Sequence, residues 1–269
     1  MIPTTTVATQ PAVTTPAPAI TVPTPTATPS SGTADAYINF GTGPYAQASS
    51  ITTGGAQAWY NSPAITSLFG GQPTTQQQQS FDATVLARVQ QTFNLAGINV
   101  KLTDDPSVSA AHSLSLVSNT VSSLLPSAIG MTNVGGNGFS FIDNIAPAAT
   151  NLDQLEWITA HNISHELMLA FGVGENYDQS GNYIDARNAS WNMMVSPTAT
   201  FSTAAAQAIN QALANQDSGN GYGGISDAQV LTEAQVLTPE PTTILTWTLA
   251  LLTVAFAHRR RVARRVATI

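Results

Sequence analysis

Apolar and polar residues alternate with two different periods in the middle third of the chain. Between Ser80 and Leu95, Phe81, Val85, Val89 and Phe93 recur every fourth residue. That spacing predicts a helix with one apolar stripe, capped by Ser80 and ended by Gly97. The period then shortens to two. Ile98, Val100 and Leu102 predict one strand, His112, Leu114 and Leu116 a second, and Phe139 to Ile142 a third. Met131 to Gly138 (MTNVGGNG) reads as a glycine-rich turn ahead of the third strand, and it lacks the Lys-Ser/Thr ending of a phosphate loop. Asn151 and Gln154 form a capping pair for a second helix that carries Leu152, Leu155 and Ile158 inward. Thr203 to Leu213 (TAAAQAINQAL) predicts a third helix by propensity. Mixed periods with no solenoid repeat predict an α+β body over residues 34–238.

The two ends follow other rules. Residues 2–33 hold eleven Thr and seven Pro and no charge. So little bulky apolar surface cannot offset chain entropy, which predicts an extended stalk over residues 1–33. No basic start followed by an apolar run is visible there, so no secretory leader is read. At the other end, Thr242 to Ala257 (TTILTWTLALLTVAFA) is sixteen uncharged residues. As a helix it reaches ~24 Å, slightly short of a bilayer core of ~30 Å.

Charge sharpens this division. Only 9% of the 269 residues are charged, and the formal net charge is −7. Five of the eight basic residues, Arg259, Arg260, Arg261, Arg264 and Arg265, crowd into the last eleven positions. Ahead of that cluster, three basic face fifteen acidic groups, 3 − 15 = −12. A body of that sign argues against nucleic acid as a partner. With no cysteine, a disulfide framework, a thiolate nucleophile and a cysteine zinc site are all excluded. The arginines after the apolar segment supply the positive flank that would leave the body outside a membrane.

Remaining chemistry rests on His, Asp and Glu. His161 and His165 stand four residues apart on the second helix, a spacing that lets two imidazoles share one face, and Glu166 follows. Aligned from His165, the segment HELMLAFGVGE resembles the metzincin zinc-peptidase pattern H-E-x-x-H-x-x-G-x-x-H. The resemblance assigns His165 to the first ligand position, Glu166 to the general base, Gly172 to the helix-ending turn and Glu175 to the third ligand position. Trp191 to Pro197 (WNMMVSP), with Met193 and Met194, resembles the Met-turn beneath the metal in that clan. The implied fold is a twisted mixed sheet packed on a backing helix and an active-site helix, with a small C-terminal helical subdomain.

One departure is decisive for chemistry. Leu169 fills the second ligand position and cannot bind a metal. His161 could substitute only in a site shifted one turn, ~6 Å, along the helix, with Asp178 or Asp185 as further ligands. The expectation is a zinc site weakened or lost.

Ahead of the apolar tail stands Pro239-Glu240-Pro241. Tripeptide, apolar segment and arginine cluster, in that order at residues 239–269, resemble the PEP-CTERM sorting signal of exported Gram-negative proteins. That resemblance implies an exosortase-type enzyme as partner, passage through the inner membrane on the C-terminal helix, removal of the tail and delivery to the cell surface or extracellular matrix. An ordinary single-pass anchor is the plainer alternative. Two functions follow: a secreted zinc peptidase acting on peptides with Glu166 as base, or a non-catalytic surface or biofilm-matrix protein on a peptidase-derived fold.

Overall fold

The computed structural model describes residues 33–46, 55–118, 127–217 and 232–238. Of the segments expected as a stalk (residues 1–33) and a sorting signal (residues 239–269), residues 1–32 and 239–269, with Pro239, Glu240, Pro241, Arg259, Arg260 and Arg261, lie outside them. No described helix is long and apolar enough to cross a membrane; Thr242 to Ala257 is not among the described residues.

The body is α+β. In chain order it runs β1 (Ala34–Asn39), β2 (Gln57–Ala58), α1 (Thr66–Phe69), α2 (Thr75–Leu95), β3 (Leu102–Thr103), β4 (Ala110–Ser118), β5 (Gly130–Asn133), β6 (Gly138–Phe141) and α3 (Ile142–Ile145). There follow α4 (Leu152–Ala170), β7 (Asn188–Ser190), α5 (Trp191–Met194), α6 (Thr203–Asp217) and β8 (Thr232–Thr238). The sheet order is β3-β1-β4-β6-β5-β8-β7, with β2 joined to β4. β1, β3, β4 and β6 run parallel, and β5 is antiparallel to β6. Parallel neighbours require crossovers, and α2, lying between β1 and β3 in the chain, supplies the first of them.

The predicted stripe of α2 is the floor of the core: Phe81, Val85, Val89 and Phe93 are buried. α2 packs on α4, whose residues from Leu155 onward are all buried. A helix buried all round cannot be recognised by one face alone, and its polar members must find partners inside. A second, smaller cluster of Val117, Met131, Phe139 and Phe141 covers the other side of the sheet. α6 buries Ala205, Ile209 and Leu213 against the main core, and Phe201 meets the Phe93 ring at 5.1 Å.

Three local readings change. α2 begins at Thr75, not after Ser80, because Thr74 and Gln77 form a reciprocal capping box in front of a polar glutamine turn. The strand predicted from Ile98 is ordered as such only at Leu102–Thr103, although Ile98 and Val100 are buried. The glycine-rich segment opens with a true strand, β5, and only the residues between Asn133 and Gly138 turn. Gly130 has no side chain for a definite reason: a Cβ there would stand 2.3 Å from Glu166 Oε1 and 2.5 Å from Asn162 Nδ2. Its absence lets α4 lie close against the strand.

Candidate functional site

The site is the last two turns of α4 and the bend beyond it. Asn151 caps the helix start by accepting from the Gln154 N–H at 2.9 Å, while the Gln154 side chain turns back to Thr150. At the far end Gly172 adopts φ +85°, and the Gly172 and Val173 N–H groups donate to the Leu169 and Met168 carbonyls. This is the Schellman termination, whose left-handed residue glycine tolerates best. The bend expected at Gly172 is therefore present, and it carries the chain to Glu175.

His165 and Glu175 are brought together. His165 Nε2 lies 3.0 Å from Glu175 Oε1, and its Nδ1 donates to the Ile184 carbonyl at 2.6 Å. Both ring nitrogens thus face acceptors, which suits an imidazolium and leaves no lone pair directed at a third party. Burial alone would push the His165 pKa down. The hydrogen bond to Glu175, the charges of Glu166 and Glu175 and the Ile184 carbonyl outweigh it and raise the pKa above the ordinary value. Arg187 Nε stands 3.5 Å from the other Glu175 oxygen.

Glu166 turns elsewhere. It is fully buried and accepts from Thr132 Oγ1 of β5 at 2.6 Å. Leu169, at the second ligand position, is fully buried in the main core, and its carbonyl also accepts from Gly135 in the β5–β6 turn.

His161 belongs to a different neighbourhood. Its Nδ1 hydrogen-bonds the Met194 carbonyl at 2.9 Å, and its ring stacks on Trp157 at 5.2 Å. Nε2 is buried and has no hydrogen-bond partner among the described residues. Burial first, and the Arg88 charge to a lesser degree, depress its pKa to about 4 against the pull of the Met194 carbonyl. Arg88 lies over the other ring of this stack, 4.4 Å from the Trp157 centroid, and pairs with Asp153 and Glu156 at 2.8 and 2.9 Å. Met193 and Met194 are buried on α5, which packs against α4. The Met194 carbonyl ties this turn to the helix through His161.

The acidic residues considered for a rearranged site are already engaged. Asp178 closes its own turn by accepting from the Ser180, Asn182 and Tyr183 N–H groups. Asp185 braces the start of α6 through the Ser202 N–H and hydroxyl at 2.7 and 2.8 Å. His112, on the interior strand β4, packs edge-on to Phe171 and bonds the Gly136 carbonyl.

Zinc can be tested against this donor set. Tetrahedral N and O ligands at ~2.0–2.1 Å from zinc stand about 3.3 Å apart, so the His165–Glu175 separation would admit an ion. The remaining donors would not hold it. Leu169 offers none, and among the described residues no group of three or more His, Asp or Glu side chains could hold a metal ion. The residues present do not fit a three-ligand zinc centre.

Sequence reasoning missed Thr132, Arg88, Trp157 and Arg187. Arg88 and Arg187 had one legible signal, since they are two of only three basic residues ahead of the tail. No protein-family model and no curated protein matches this chain.

Proposed function

We propose that this chain is an exported surface or matrix protein built on a metzincin-like fold whose zinc centre, and with it peptidase activity, has been lost. One observation carries the reading: the second ligand position is a fully buried core leucine, Leu169. The neighbouring ligands His165 and Glu175 instead satisfy each other. The order of elements supports the kinship. A backing helix, α2, lies behind a mixed sheet in which β2 and β5 run antiparallel to the other strands, and a long helix ends at a left-handed glycine before a buried methionine turn. The Pro239-Glu240-Pro241 tripeptide, apolar segment and arginine cluster support delivery to the surface by an exosortase-type enzyme.

Zinc content tests the reading. The purified full chain, dialysed against micromolar zinc, should carry far less than one equivalent, and His165→Ala should change nothing. Leu169→His, restoring a third ligand on the same helix face, should bring the content to about one equivalent. Stoichiometric zinc in the unaltered chain, lost in His165→Ala, together with proteolysis lost in Glu166→Gln, would replace this reading with an active peptidase. For export, the mature protein recovered from the cell surface should end close to Pro239; a full-length, membrane-embedded product contradicts the sorting signal.

A further inference from the structure

The loop between α4 and β7 forms a cavity of about 220 Å³ bordered by Glu175. Its wall is made by Glu175, Asn176, Asp178, Gln179, Arg187 and Asn188, with Gly181 and Ala186 completing it. No apolar side chain larger than a methyl group lines the cavity, so it does not suit an apolar ligand.

The chain itself fixes this wall. Asp178 Oδ1 accepts from the Ser180 N–H at 2.8 Å, and Oδ2 accepts from the Asn182 and Tyr183 N–H groups, both at 3.1 Å. Gly181, at φ +77°, receives the Ser190 N–H on its carbonyl at 3.1 Å. A Cβ at Gly181 would stand 2.8 Å from the Asn188 carbonyl oxygen. The loop is thus held against β7 before a ligand arrives, which lowers the ordering cost of binding.

What stays open is a set of hydrogen-bonding groups. The exposed side-chain amides of Asn176, Gln179 and Asn188 have no hydrogen-bond partner among the described residues. Arg187, 61% exposed, contacts Glu175 through Nε at 3.5 Å, and its terminal nitrogens make no hydrogen bond among the described residues.

Charge selects among the ligands such groups could take. Both Asp178 oxygens are engaged by N–H groups, and the Glu175 oxygens face His165 and Arg187. No carboxylate oxygen is therefore left for a cation. An anion is disfavoured because Arg187 already faces Glu175 and the chain ahead of its tail carries fifteen acidic against three basic groups. A neutral ligand rich in hydroxyls meets both limits, since each hydroxyl donates and accepts as the amides do. At ~30 Å³ per water the cavity is worth about seven waters, below the ~300–1,000 Å³ of drug-sized pockets, which leaves room for one sugar ring.

The same loop supplies aromatic surface. Among the described residues three large apolar side chains are exposed, and two of them, Tyr177 and Tyr183, each 43% exposed, belong to it. Such rings offer an apolar face to the C–H side of a sugar while their hydroxyls stay in water.

We propose that the loop over residues 175–188 is a saccharide-binding site that takes one neutral pyranose unit of a glycan. The three amides and Arg187 bond its hydroxyls, and Tyr177 and Tyr183 flank its ring. The site goes beyond the lost-peptidase reading and does not rest on it, because these amides and tyrosines stand outside the His165–Glu175 pair.

An amide NMR titration of the full chain tests this, with EDTA present throughout so that the outcome is separate from zinc content. The probes are the methyl glycosides of glucose, galactose and mannose and N-acetylglucosamine, with sodium phosphate and tetramethylammonium as charged controls. At least one sugar should shift the side-chain amide resonances of Asn176, Gln179 and Asn188 with a Kd of about 1 mM, and neither charged control should. Arg187→Met and Tyr183→Ala, both at exposed positions, should weaken that binding about 3- to 10-fold, whereas Tyr183→Phe, which keeps the ring, should not. No shift from any sugar, sugar shifts confined to other residues, shifts from a charged control alone, or affinity unchanged in both Arg187→Met and Tyr183→Ala overturns the proposal.

Discussion

His161 and His165 sit one turn apart on a single helix, both with no exposed surface, yet their surroundings push their pKa values in opposite directions. His161 has one acceptor, the Met194 carbonyl, an aromatic face at Trp157 and a cation beyond it, and its pKa falls to about 4. His165 has a carbonyl on one nitrogen and a carboxylate on the other, and its pKa rises. Four-residue spacing makes a chelate possible, but the groups that converge on each ring decide whether one exists. Here the lower ring is a packed, neutral core residue, and the upper ring is hydrogen-bonded to a buried carboxylate where a metal ligand is expected.

The largest effect should come from breaking the upper pair. Glu175→Gln leaves His165 buried opposite a neutral amide, and losing one partner of a buried pair costs about 3–5 kcal/mol. Chemical denaturation near neutral pH should show that loss. His165 stabilises the fold fully below its unfolded pKa and loses this as pH rises through the raised folded value, so Glu175→Gln should also flatten the alkaline side of the stability profile.

The lower histidine acts on the acid side. Its folded pKa of about 4 lies below the ordinary imidazole value of 6.5. Its contribution is therefore complete above pH 6.5 and disappears as pH falls toward 4. That difference between the folded and ordinary values corresponds to ~3 kcal/mol. Denaturant midpoints measured across that window should show the decline, and His161→Phe should remove most of it.

A smaller effect is expected from Arg88→Met. It retains part of the apolar stem but removes the cation over Trp157 and the partner of Glu156, whose own pKa is raised by burial and held down by Arg88. The pair with the exposed Asp153 contributes little. A loss of about 1–2 kcal/mol is expected, with His161 titrating slightly higher once the Arg88 charge is gone. An unchanged His161 titration would show that the stack does not couple α2 to the lower ring.

Periodicity made the helices legible because α2 is amphipathic and its stripe, Phe81 to Phe93, is the core. The strands carrying Leu114, Leu116, Phe139 and Phe141 were legible for the same reason. β5 was not: Gly130 opens it because a helix carboxylate occupies the space of a side chain, a constraint that no local pattern records. Nor was β8 read as a strand, since its partners β5 and β7 lie far from it in sequence. In the site, the spacing from His165 through Gly172 to Glu175 foretold a real contact. It could not foretell that Glu166 is held by Thr132, or that Asp178 and Asp185 are committed to a turn and a helix start. Those outcomes depend on residues 17 to 34 positions away or on local backbone geometry.

The most direct test is the protonation of the two rings, read by imidazole 15N NMR near pH 6 with zinc titrated in. The expected result is a His165 that keeps its proton to higher pH than His161, a neutral His161, and no change in either at one equivalent of zinc. A neutral His165 whose Nε2 resonance shifts on adding zinc would contradict the account, because the proton bridge to Glu175 would then be a vacant metal site.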